Sequence, residues 1–178
     1  MRHRLLWALC LGGFVSAGGC ASVPDRTITP EDCVRLMDLW PADYARIEDQ
    51  VLQLVNNQRA EGARCGAKGP FPAVGPLVTH PALTCAARQH AGAMISNNDF
   101  SHTSENGDGF TTRILDAGYR WSKAAENIAQ GPRNPTEVMQ LWMDSDEHCA
   151  NLMGSYANIG IGYYGEEPRG WVQDFASP

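Results

Sequence analysis

The segments of this chain that read as β-strands come almost entirely at its end, after a series of segments with helical periodicity. Asn158 to Tyr164 and Trp171 to Phe175 are short runs rich in Ile, Val and aromatic residues, joined by Gly165 to Gly170. Before them, Cys33, Leu36, Met37 and Trp40 recur at i, i+3, i+4 and i+7, behind a helix start formed by Thr29, Pro30 and Asp32. A second helix is predicted from about Asp43 to Glu61, with Ile47, Val51, Leu54 and Val55 on one stripe and Gly62 as its stop. Residues 62–79, rich in Gly and Pro, read as loop. A helix from Pro81 to about Asn97 follows, then a short one from Thr111 to Ala117, and another opened by Asn134-Pro135-Thr136-Glu137 that would bury Val138, Leu141 and Trp142. Glu126 to Ala129 is a short strand; if extended, it puts Glu126 and Ile128 on one face and Asn127 on the other. Helices that lead and strands that follow specify an α+β fold with an antiparallel sheet.

The length of 178 residues suits one domain with some tail, and an apolar fraction of 43% is too high for a disordered chain. With 14 basic against 20 acidic side chains, nothing draws the molecule to a phosphate backbone, so a nucleic-acid partner is disfavoured. Arg2, His3 and Arg4 precede an apolar stretch from Leu5 to about Val15 and then small residues up to Cys20, the pattern of an export signal. That stretch is too short to span a membrane as a stable helix. The run Ala17-Gly18-Gly19-Cys20 resembles a lipoprotein signal ending at an acylated Cys20. The expected organisation is a signal peptide at 1–19, a lipidated tether with a short helix at 20–40, and a domain at 41–178. Loss of Arg2 and Arg4 with the signal takes the formal charge from −6 to −8. Cys33, Cys65, Cys85 and Cys149 then remain, enough for two disulfides in any of three pairings.

Several motifs stand in a fixed order. They are Asn57-x-Arg59 with Cys65-Gly66, His90-Ala91-x-x-Met94, Phe100-Ser101-His102-Thr103 with Arg113, and Glu126-Asn127-Ile128-Ala129-x-Gly131. Trp142-Met143-x-Ser145-x-x-His148-Cys149-Ala150-Asn151-Leu152 and Trp171-x-Gln173-x-Phe175 complete the series. Together they resemble the CAP superfamily, which unites cysteine-rich secretory proteins, insect antigens and plant pathogenesis-related proteins, in its short bacterial form. The resemblance implies an α-β-α sandwich around a small antiparallel sheet. It also implies the pairing Cys65–Cys149, which leaves Cys33–Cys85.

Larger members of that family line a cavity with two His and two Glu, and His102 and Glu126 match the first pair. Ser145 stands where the second Glu would be, and Trp171 near the second His. His148 belongs to the bacterial form of the motif. The resemblance thus implies a cavity with His102, Glu126, His148, Ser145 and Trp171. His102, Glu126 and His148 would be its ligands for a divalent metal (Zn, Ca or Mg). No residue is assigned a catalytic role, and His90, on an apolar helix face, reads as a core histidine. The function this implies is an exported, lipid-anchored envelope module that binds a lipid, glycan or protein as a monomer. A metal-dependent hydrolase or peptidase, and a structural envelope protein with a vestigial cavity, are the alternatives.

Overall fold

A computed structural model describes residues 28–178; the expected export signal, Cys20 and most of the expected tether lie outside the described residues. Helix α1 (Pro30–Leu39) starts at Thr29, whose hydroxyl accepts from the Asp32 backbone while the Asp32 carboxylate accepts from the Thr29 backbone. Helices α2 (Ala42–Glu61) and α3 (Pro81–Ser96) follow, then α4 (Phe110–Asp116), α5 (Pro135–Met143) and α6 (Asp146–Leu152). The strands are β1 (Ala63–Arg64), β2 (Pro70–Phe71), β3 (Val78–Thr79), β4 (Lys123–Gln130), β5 (Asn158–Tyr164) and β6 (Gly170–Ser177).

Strands β3, β5, β6 and β4 form one sheet in that order, and β1 and β2 pair separately. The three long strands are antiparallel neighbours, whereas β3 joins β5 in parallel through Val78 and Thr79. The sequence predicts loop throughout residues 62–79, because pairs two residues long carry no periodicity to read. Backbone bonds from Val78 N to Ala157 O and from His80 N to Ile159 O draw the end of that segment onto the sheet. The 126–129 strand extends at both ends, and α6 is a separate helix capped by Ser145.

The period of two divides the sheet into two faces. Ile159, Ile161, Tyr163, Trp171, Phe175, Ala125 and Ala129 pack with Val51 and Val55 of α2, Val138 and Trp142 of α5, and Leu152 of α6. On the other face, Ile128, Val172 and Tyr164 meet Ala87, Ala91 and Met94 of α3, and Ala176 meets Leu83. The result is the expected α-β-α sandwich. Leu141, expected inside, is exposed. Cys65 is bonded to Cys149 and Cys33 to Cys85, as the resemblance implied. The second bond fixes α1 to α3.

Candidate functional site

Strand parity decides where the expected site residues go. Glu126 pairs directly with Asp174 across β4 and β6, and Asp174 pairs with Gly160 across β6 and β5. A Cβ at Gly160 would come within 2.0 Å of the Leu83 backbone, so this is the α3 face of the sheet. Asn127 points the other way, where its amide donates to the backbone oxygen of His148 at 3.1 Å and receives from Asn151 at 2.9 Å. Thus β4 carries Glu126 toward α3 and α4, while α6 docks on the side of Asn127.

His102 lies in the loop between α3 and α4, which is closed by an isolated bridge from Thr103 to Gly109. Its Nδ1 is 2.7 Å from Glu126 Oε1, and since an ionised carboxylate only accepts, the proton of this bond sits on Nδ1. The His102 side chain is 51% exposed, whereas that of Glu126 is completely buried. Arg113 of α4 donates to Glu126 Oε2 at 2.6 Å. Its Nη1 donates to His102 O, Ser104 Oγ and Asp108 O at 3.0–3.1 Å, so one buried guanidinium ties Glu126 to the His102 loop. Below them, His90 of α3 donates from Nε2 to Ser101 O at 2.8 Å and fixes the residue before His102.

Charge in this cluster follows from burial and pairing. Burial alone would raise the Glu126 pKa, but the His102 hydrogen bond and the Arg113 charge outweigh it and hold the carboxyl below its usual range. Asp174 is fully buried, and neither of its oxygens accepts a hydrogen bond among the described residues. Burial first and the Glu126 charge next raise its pKa well above the usual carboxylate value, which favours its protonated form. Burial pushes His90 down to about 4 and lowers His148, with the charge of His102 acting in the same direction on both.

Of the five residues expected to line a cavity, His102 and Glu126 are bonded side chain to side chain, whereas Ser145 meets only the backbone of His148. Ser145 is the N-cap of α6, its hydroxyl accepting from His148 N at 3.5 Å. Trp171 is fully buried in the core against Tyr163, with its indole N–H satisfied by Pro132 O at 3.0 Å. Its ring packs in the core and its one polar group is satisfied there. His148 sits on α6, with Nδ1 buried and unbonded among the described residues.

The donor set does not fit the divalent metal implied by the resemblance. Both Glu126 oxygens are engaged, one of them by a cation, and among the described residues no group of three or more His, Cys, Asp or Glu is placed to hold an ion. Sequence reasoning misses two members of the cluster. Arg113 stands there only within a motif, and Asp174 only as one letter of a strand. The signal was available in the alternation of β6, which gives Asp174 the same inward face as Val172 and Ala176.

Comparison with known proteins agrees with this architecture. The profile of the cysteine-rich secretory protein family, CAP, matches residues 52–175. The protein YkwD of Bacillus subtilis is 31% identical over 136 residues, which cover 76% of this chain and 49% of YkwD; the chain spans about half the length of that relative. An extracellular SCP-domain protein of Bacillus anthracis superposes with a TM-score of 0.66 at 22% identity, covering 85% of this chain and 44% of that one. An outer surface protein of Borrelia burgdorferi gives 0.54 at 17% identity over 85% of this chain and 97% of its own. With the family profile spanning both faces of the sheet and the His102–Glu126 pair, the chain belongs to the cysteine-rich secretory protein (CAP) family.

Proposed function

We propose that this protein is exported, anchored to the cell envelope by lipid on Cys20, and presents its CAP domain as a ligand-binding module whose contact point is His102. One observation carries the ligand site: a half-exposed imidazole is held from behind by a fully buried carboxylate. Buried partners cost folding energy and give a surface side chain one orientation, which is the arrangement of a recognition group. The basic, apolar and small-residue order of residues 2–20 supports export and acylation. Similarity to proteins described as extracellular and as an outer surface protein points the same way.

The test is fractionation followed by retention. Cys20→Ala should move the protein from membranes to the soluble envelope fraction, and persistence with membranes would refute the anchor. Detergent-solubilised protein should be retained by one of three matrices, namely purified cell-wall polymer, lipid vesicles or immobilised envelope proteins. His102→Ala should reduce that retention at least tenfold, and equal retention of both proteins would refute the site.

The hydrolase reading has one observation in its favour. Glu126 holds Nδ1 of His102, so that in the neutral ring Nε2 is the free acceptor, the orientation a general base needs toward water. Time-dependent release of soluble fragments from the cell-wall polymer by wild type, abolished by His102→Ala, would favour it over simple binding.

A further inference from the structure

We infer that Arg113 is the built-in cation of the His102 site, a positioning residue that orients the imidazole through Glu126 so that the site meets its ligand without a divalent metal. The inference rests on the reading of His102 as the ligand contact, and it assigns the chemistry of that contact.

Four observations converge on it. Arg113 is 4% exposed and donates to Glu126 Oε2 at 2.6 Å, while His102 takes Oε1, so each oxygen of the carboxylate has a partner on a different element. A guanidinium against a carboxylate is permanently charged and matches the planar geometry of its acceptor. A divalent ion at Glu126 would have to share it with this fixed positive charge. Second, Arg113 cannot easily swing away, because Nη1 is committed to His102 O, Ser104 Oγ and Asp108 O. The same side chain therefore sets the carboxylate and the backbone of the residue it orients.

Third, His148 is not bonded to the pair, its Nδ1 being without a hydrogen-bond partner among the described residues. Glu126 lies on the face of α3, and α6 docks through His148 O on Asn127, whose side chain lies on the opposite face. Fourth, the local charges cancel. Glu126 and Arg113 balance each other as a buried ion pair. The ion pair behind the exposed imidazole thus brings it no surplus charge of either sign. The site suits a neutral ligand that offers a hydroxyl or amide proton to Nε2.

The experiment is a long-range proton–nitrogen correlation spectrum of the histidine rings in the full chain, in detergent micelles. In wild type, His102 should show Nδ1 protonated at a pH where the ring is neutral. One equivalent of zinc chloride, or of inorganic phosphate, should leave the His102 signals in place. Arg113→Lys keeps the charge and should keep that signature. Arg113→Met leaves Glu126 uncompensated, and one equivalent of zinc should then shift His102. A His102 shift with one equivalent of zinc in wild type overturns the inference, and so does an Nε2-protonated ring. If Arg113→Met does not fold, the wild-type zinc titration alone still decides. Unchanged envelope retention of His102→Ala would overturn the ligand-site reading while leaving these spectra as stated.

Discussion

Burial acts at Asp174 on an acid and at His90 on a base, so the two respond to pH in opposite senses. The folded pKa of Asp174 is raised above its unfolded value of about 3.9. Its contribution to stability is therefore complete below that value and is lost as pH rises through the folded pKa. His90 is lowered to about 4, from an unfolded value of about 6.5. Its contribution is complete above about 6.5 and is lost as pH falls toward 4, at a cost of about 3 kcal/mol. Asp174→Asn keeps the shape and removes only the first dependence, so the variant should gain on wild type as pH rises from 4 to 8. Thermal unfolding of both proteins across that range measures the gain. A constant difference would mean that Asp174 does not titrate there. These residues also mark the limit of what the sequence discloses. The opposite facing of Glu126 and Asn127 follows from alternation along one strand. The partnership of Glu126 with Arg113 and Asp174 needs the pairing of β4 with β6 and the placement of α4, which no local pattern encodes.

At the scale of elements, α3 and the sheet fit closely, backbone against backbone. A Cβ at Gly160 or Gly162 would lie 2.0–2.2 Å from the backbone of Leu83 or Ala87, one helical turn apart on α3. The two glycines form a groove in β5 for a helix that is buried along most of its length. Gly160→Ala has backbone, not a flexible side chain, to displace. It should cost about 3 kcal/mol, read as a lowered denaturant midpoint with unchanged slope. This packing also explains which elements were legible. The long helices and the two terminal strands carry periodicity over many residues. Strands β1, β2 and β3 are two residues long, too short to carry a period, and β3 is made by a contact with distant β5; α6 was hidden because Ser145 resembles a site position while serving as a cap.

At the scale of the whole molecule, two disulfides and two buried arginines join segments far apart in sequence. Arg59 donates to Gly75 O, Leu152 O and Gly154 O, and Arg88 forks onto Glu48 under the Trp40 ring. Cys33–Cys85 spans 52 residues, and the chain-entropy account assigns such a closure about 4 kcal/mol. The double variant Cys33→Ser/Cys85→Ser should lose about that much in chemical unfolding. Its α1 amides should lose hydrogen-exchange protection while those of β5 and β6 keep theirs. Equal loss in all three elements would show that α1 is integral to the core.

That bond also decides how the domain carries a mechanical load. Tension applied to the chain ahead of residue 28 enters through α1, and the sulfur–sulfur link passes it to α3 at Cys85, two residues beyond the Leu83 that rests on Gly160. The load is borne by a helix seated across the sheet, not by peeling the polypeptide from its end. The loop that carries His102 lies beyond α3, outside the segment that the bond bypasses.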